Sequence, residues 1–350
     1  MYYDNSNPFQ YDPFLRLMIK ETKKAYSRFH LALFVYVIAA YLISFAVEII
    51  LLITLGDSYT DVVSNNYYRW GLGVLPMYLV GLPILYLIVR EMPSTPLQKS
   101  KLKFSEFLIL FAIAQPLTSV GAAIGSVFNG VFGALRGEEV TDATTELITS
   151  SPIVFTILFA VIIGPVVEEF IFRKLMVDKL SKFGTVPAII VSGVSFGLFH
   201  GNFYQFFYAA LLGVLLAFIT VKTGNWLYSV LMHVVLNFFG SVVPMPFMDM
   251  SKKIANAQDI ISAGGTVNTR EFLFMNFAVS AYSSFQLLLL LAGVILLILA
   301  LKRQWYKIDK NVIPLRVPGE KVFSSVFATA GSIMFFALSM LLLTVNALFL

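Results

Sequence analysis

Apolar residues run through this chain in long blocks, without the period-two alternation of half-buried strands. Nine blocks stand out: residues 31–54, 71–89, 107–135, 152–172, 185–200, 205–221, 225–243, 276–301 and 322–350. A helix crosses a bilayer with about 20 apolar residues, whereas a barrel strand needs only about 9–11 of alternating character. Within lipid every backbone polar group must be paired inside the segment, which favours helices for blocks of this kind. The pattern predicts an all-α polytopic membrane protein of about nine transmembrane helices, with residues 1–350 as a single membrane domain. No repeat, low-complexity tract or linker divides it. The first block follows 30 polar and aromatic residues, an arrangement unlike a cleavable signal peptide.

Composition sharpens this picture. Hydrophobic residues make up 58% of the 350, charged residues only 13%, and the mean hydropathy is +0.81. Soluble domains carry about 25% charge, so a water-soluble globular protein is excluded. There is no cysteine, which removes disulfides, thiol nucleophiles and thiolate-held zinc. The net charge of +5 reads as a topology signal once its distribution is followed. Lys and Arg fall between the blocks or at their edges, and alternate connecting segments hold 20 of them against 5. The positive-inside rule then places the amino terminus and the segments around 99–103, 173–182, Lys222 and 302–321 in the cytoplasm. An odd number of spans puts the carboxyl terminus outside. No nucleic-acid partner is implied; the partner is the lipid bilayer. Residues 14–29, with Arg16, Lys20, Lys23, Lys24 and Arg28, read equally well as an interfacial helix or a solvated basic tail. The longest outer segment, 244–274, has room for a surface helix.

Charge inside a bilayer is costly, so the few ionisable groups within the blocks carry the functional argument. Glu48 sits near the outer end of the first block, within reach of headgroups, and reads as structural. His30 lies at a cytoplasmic edge. The others cluster: Glu168, Glu169 and Arg173 in the fourth block, His200 in the fifth, His233 in the seventh. Glu168 precedes the break at Gly184 by 16 residues and His200 follows it by 16. An antiparallel hairpin turning there sets the two at one depth. Glu169 and Arg173, four apart, form an ion pair with the acid on the favoured N-terminal side. Glu168 points about 100° away and has no local partner, which suits a raised pKa and general-base work. His233 and Asn237 share one helix face, and Phe196 packs one turn before His200. Gly164-Pro165 kinks or widens the fourth helix just before the acid pair.

On these residues the sequence resembles the CaaX-protease and bacteriocin-processing (CPBP, or Abi) family of intramembrane endopeptidases. The family's three motifs read here as Glu168-Glu169-Phe-Ile-Phe-Arg173, Phe196-Gly-Leu-Phe-His200 and His233-Val-Val-Leu-Asn237. The resemblance covers residues 152–243, a catalytic core in the fourth to seventh spans. It implies hydrolysis of a peptide bond in a membrane-associated protein or peptide near the cytoplasmic face, as in the type II CaaX prenyl endopeptidases. Glu168 and His200 would activate a water, His233 and Asn237 would form the oxyanion hole, and Glu169, Arg173 and Phe196 would support them. It also implies a multi-pass protein of a bacterial cytoplasmic membrane.

The family is often labelled a metalloprotease, and Glu168, His200 and His233 are of zinc-ligating type. There is, however, no His-Glu-x-x-His, and a glutamate-activated water needs no metal. The expectation is therefore a metal-free site with no assigned cofactor. Gly193-Val-Ser195-Phe-Gly197 matches the nucleophile pattern Gly-x-Ser-x-Gly but lacks the strand–turn–helix setting that pattern requires. Gly193, Gly197 and Gly201 read instead as a stripe for close helix packing, repeated by Gly121 and Gly125. Two other functions compete with the protease. One is a non-enzymatic immunity or scaffold protein keeping the fold. The other is a transporter with a proton relay, which predicts inverted repeats that the sequence lacks.

Overall fold

The computed structural model describes residues 13–349 except 139, 141, 142, 306, 309 and 310. Among them there is no strand, and eight helices are long and apolar enough to cross a membrane. In order these are α1 (Pro13–Leu55), α2 (Asn66–Val89), α3 (Phe104–Arg136) and α4 (Ile153–Phe183). The short α5 (Thr185–Phe199) and α6 (Phe203–Thr223) follow as a hairpin. Then come α7 (Leu227–Asn237), the surface helix α8 (Met245–Ser262), α9 (Thr269–Lys302) and α10 (Ala330–Phe349). The nine apolar blocks thus become eight long apolar helices, with α7 and α8 joined as one of them, and the 15-residue α5.

The basic residues 14–29 are neither a free tail nor a separate interfacial helix. They are the first part of α1, whose 43 residues span about 64 Å at 1.5 Å each, about twice the hydrocarbon thickness. Thr22, Ala25, Tyr26, Phe29 and His30 are buried on one face of it, so tertiary packing holds the segment helical. α10 lies against that face. A Cβ on Gly331 would collide with the Ser27 carbonyl, and the Gly331 N–H donates to Ser27 Oγ at 3.0 Å.

One buried cluster joins α1, the end of α2, α4, α5 and α10, with Tyr26, Phe29, Leu33, Phe172 and Phe335 fully enclosed. A second joins α3, α6 and α7 through Leu110, Leu216 and Met232. Exposed Leu, Ile, Phe and Val cover the outer faces, as a lipid-facing surface requires. The glycines at 121, 125, 193 and 197 do serve packing, since a Cβ on any of them would meet the backbone of a neighbouring helix. Gly201 does not. It has open space and φ of +68°, and it makes the left-handed turn from α5 into α6.

The connecting segments richest in Lys and Arg meet in one layer at one end of the bundle. Asn311 organises it: Nδ2 donates to the carbonyls of Gln98 (3.0 Å) and Val221 (2.7 Å), and Oδ1 accepts from Gln98 N–H (2.7 Å). Ser100 N–H bonds the Thr223 carbonyl at 2.7 Å, and Thr185 N–H that of Ile313 at 3.1 Å.

Candidate active site

α4 is not a regular helix. Wide π turns over Thr156–Ile163 and Phe170–Val177 flank a regular turn, Gly164–Glu169. The first has a local cause. Gly164 N–H bonds Phe159 O, five residues back, and a Cβ at 164 would lie only 2.8 Å from that oxygen. In the same register the next amide would serve Ala160 O, but Pro165 has no N–H. The orphaned carbonyl is taken by α7: Asn237 Nδ2 donates to Ala160 O at 2.9 Å. π turns of this kind recur at functional sites because they redirect the side chains that follow.

Those side chains are the acid pair. Glu169 is fully buried with its carboxylate 3.0 Å from Arg173 Nε, and Arg173 is fully buried too. The N–H does not point along that contact, so it is an ion pair more than an aligned hydrogen bond. Arg173 Nη1 donates to Ser192 Oγ at 3.2 Å, and Ser192 passes its own hydrogen to Phe172 O at 2.8 Å. The other oxygen of Glu169 lies 3.1 Å from His233 Nδ1. A carboxylate only accepts, so Nδ1 carries hydrogen and Nε2 is the nitrogen left to act. Nε2 faces Glu168 at 3.8 Å. Glu168 is the accessible acid, with 22% of its side chain exposed against none for Glu169.

Phe196 ties the second imidazole to this group. Its ring meets His200 at 4.9 Å and His233 at 5.6 Å, both edge-on, and the Arg173 guanidinium stands 4.9 Å over its face. His200 caps α5, and its Nδ1 lies 2.9 Å from the Phe196 carbonyl. That oxygen also only accepts, so Nε2 of His200 is free of hydrogen when the ring is neutral. Among the described residues no hydrogen bond or ion pair joins His200 to Glu168. Glu168, Glu169, Arg173, His233, Phe196 and His200 therefore form one contiguous group, and Asn237 reaches it through the α4 backbone. A cavity of about 370 Å³ lined by Phe111, Gln115, Tyr208, Asn237 and Gln286 opens beside the site and touches it at Asn237.

No three His, Asp or Glu side chains among the described residues converge at ligand spacing. Glu169 is spent on Arg173 and His233, and the atoms left over, Nε2 of His233, Nε2 of His200 and the Glu168 carboxylate, do not converge on one point. These residues do not fit a metal in this arrangement.

Sequence reasoning missed several neighbours. Tyr36 of α1 and Tyr78 of α2 lie within electrostatic reach of the Glu168 carboxylate. Tyr36 is fully buried against Phe199, and its hydroxyl has no hydrogen-bond partner. No motif marks either tyrosine. Ser192 did carry a signal, as a small polar residue one turn before Phe196. His30 was placed at an edge, yet it is fully buried. Its Nδ1 is 2.8 Å from Ser332 Oγ and its Nε2 is 3.2 Å from Ser195 Oγ. Ser195 is thus close to an imidazole, but both residues are sealed from solvent and within a regular helix contact. The pair clamps α1, α5 and α10 and has no route for a substrate.

Fold and cluster together define a multi-pass integral membrane protein with a carboxylate–imidazole site enclosed among its helices. The family model for type II CAAX prenyl endopeptidase Rce1-like proteins matches residues 150–239, the segment that holds the whole cluster apart from the tyrosines. The "Putative membrane peptidase YdiL" of Bacillus subtilis (strain 168) is 30% identical over 188 residues, covering 53% of this chain and 75% of that protein. No solved structure matches significantly. The chain belongs to the CPBP family of intramembrane proteases.

Proposed function

We propose that this protein is an endopeptidase that cleaves a membrane-associated protein or peptide near the cytoplasmic face of a bacterial cytoplasmic membrane, using water activated by Glu168. The observation that carries the reading is His233 held between two acids, 3.1 Å from the locked Glu169 and 3.8 Å from the accessible Glu168. A locked ion pair sets the ring, and the ring presents one nitrogen to the acid that can exchange with solvent.

The steps follow from the donors and acceptors. A water near Glu168 gives one hydrogen to the carboxylate and the other to the unprotonated Nε2 of His200. Its oxygen attacks the scissile carbonyl carbon, and Glu168 takes the proton as the C–O bond forms. His233 Nε2, which takes a proton from bulk solvent before the reaction and keeps it throughout, and the second amide N–H of Asn237 are the donors for the oxyanion; one such donor is worth about 10²–10³ in rate. The proton on Glu168 then passes to the leaving amine as the C–N bond breaks, which returns the acid to its starting state. Glu169, Arg173 and Ser192 hold geometry throughout and exchange no proton with substrate.

The test compares peptide termini in host membranes carrying wild type or Glu168→Ala at matched levels. New termini that appear only with wild type establish proteolysis and identify the substrate. Identical termini, with the variant still rescuing a deletion phenotype, overturn the enzymatic reading in favour of a binding protein.

A further inference from the structure

At the end of the bundle where the basic segments meet, a cavity of about 420 Å³ opens between α1, the end of α2, the end of α4 and the strand-free segment before α10. Five cations line it: Lys24 and Arg28 from α1, Lys179 and Lys182 from α4, and Arg316. Two acids, Glu21 and Glu91, share the rim, and neither pairs with any of the five; Glu91 turns outward beside Arg90 at 3.9 Å. The cavity therefore holds three positive charges in excess.

Two of the cations are fixed. Lys179, only 6% exposed, donates to the carbonyls of Met92 (2.8 Å) and Arg90 (3.4 Å), and Arg28 Nε donates to Ile88 O at 2.8 Å. They complete the carbonyl end of α2, where positive charge is favourable. That role explains two charges and leaves three. Lys24, Lys182 and Arg316 side chains make no hydrogen bond or ion pair among the described residues. Like charges gathered round a cavity repel, and an anion between them relieves that repulsion. The floor is apolar, with Met18, Met92 and Phe183 exposed to the same space. A soluble anion has no use for such a floor, whereas an amphiphile meets both surfaces at once.

We infer that this cavity binds the phosphate-bearing head group of an anionic phospholipid, with the glycerol and upper acyl chain on the Met18–Met92–Phe183 floor. Basic pockets between membrane helices on the cytoplasmic side take such head groups. The same cavity links the first part of α1 to α4, so a bound lipid would tie the amino-terminal helix to the helix that carries Glu168.

The experiment uses the full chain in neutral detergent and follows its melting midpoint on titration with short-chain phosphatidylglycerol, phosphatidylcholine or inorganic phosphate. Phosphatidylglycerol should raise the midpoint and the other two should not. Lys24→Gln, Lys182→Gln and Arg316→Gln should each weaken apparent affinity about fivefold, as expected for loss of one juxtamembrane cation. Lys252→Gln on α8 should leave affinity unchanged. Basal midpoint and basal peptide cleavage should persist in the three single variants, so their effect is read without a folding defect. An equal shift with phosphatidylcholine, a shift reproduced by inorganic phosphate alone, or undiminished phosphatidylglycerol affinity in all three variants would overturn the assignment.

Discussion

Replacing Asn237 by alanine probes two roles at once, and Pro165 separates them. The Asn237 amide donates to Ala160 O at 2.9 Å, the carbonyl whose main-chain partner is missing because residue 165 is proline. Without that amide the carbonyl faces an apolar surround unpaired, at a cost of about 1–3 kcal/mol. In a Pro165→Ala background the restored N–H can take an α4 carbonyl, and the same Asn237→Ala change then removes only a replaceable bond, worth about 0.5–1.5 kcal/mol. A double-mutant cycle should therefore show coupling of about 1 kcal/mol or more between residues 72 positions apart in sequence. Catalysis should behave differently. Loss of an oxyanion donor lowers turnover about 10²–10³-fold in either background, because Pro165→Ala supplies no donor to the substrate. The assay is denaturant or thermal unfolding of the detergent-solubilised protein, in parallel with cleavage of a reporter peptide. Equal destabilisation in both backgrounds refutes the account of the carbonyl. Activity restored by Pro165→Ala refutes the oxyanion role and leaves Asn237 as a clamp.

Other substitutions divide the buried framework from the working groups. Glu169→Gln strands the fully buried Arg173 without its counter-charge and should cost about 3–5 kcal/mol, seen as lost yield of folded protein, whereas Glu168→Gln should melt like wild type and cleave nothing; a stable Glu169→Gln protein contradicts the ion-pair argument. His30→Ala leaves the buried Ser195 hydroxyl without its imidazole partner, while Ser332 keeps Val326 O and Thr329, and should destabilise by about 1–3 kcal/mol; Ser195→Ala should keep cleaving, and an inactive but folded Ser195→Ala protein would make the serine a nucleophile after all. Tyr36→Phe removes a buried hydroxyl that bonds nothing and should leave stability unchanged or slightly raised, since no hydrogen bond is lost; a destabilised variant would show that the hydroxyl has a partner. Prolonged chelator treatment should leave turnover unchanged, and a loss reversed by added zinc would refute the reading of the donor set.

Much of this architecture is legible in the chain because lipid imposes one-dimensional constraints. A span must be apolar for its whole length, so hydropathy alone finds the helices, and a Glu, Arg or His inside one stands out. The ion pair Glu169–Arg173 was readable from i,i+4 spacing, and the widening before Glu168 from Gly164-Pro165. What escaped depends on neighbours distant in sequence. The first part of α1 reads equally as a basic tail or an interfacial helix until the helix Gly319–Val326 and α10 pack against α1. His30 lies at the edge of an apolar block, yet tertiary packing encloses it completely. Gly201 continues a four-residue stripe on paper, but the helix ends at Phe199, two residues earlier, and the glycine makes a turn instead. Tyr36 differs in nothing visible from the chain's other tyrosines; only the fold brings it within electrostatic reach of Glu168.

Bringing an acid and two imidazoles into a bilayer creates a backbone problem, and the chain solves it twice in the same way. α5 has 15 residues, about 22 Å at 1.5 Å each, too short for a hydrocarbon core of about 30 Å. Its end, with His200, therefore falls at membrane depth, and the polar backbone of the turn that follows must be paired within the protein. Asn202 satisfies it: Nδ2 donates to His200 O at 3.1 Å, and Oδ1 accepts from Gln205 N–H at 2.9 Å. The π turn before Glu168 leaves Ala160 O unpaired, and Asn237 satisfies that one. In each case irregular backbone aims a working side chain, and an asparagine pairs the groups set free. Asparagine suits the task because one short side chain offers both donor and acceptor without charge. The second amide hydrogen of Asn237 remains after the carbonyl is paired, held in direction by the first. In the proposed mechanism a residue placed to repair the helix is thereby pre-oriented to serve the oxyanion, so its structural and chemical duties would reinforce each other.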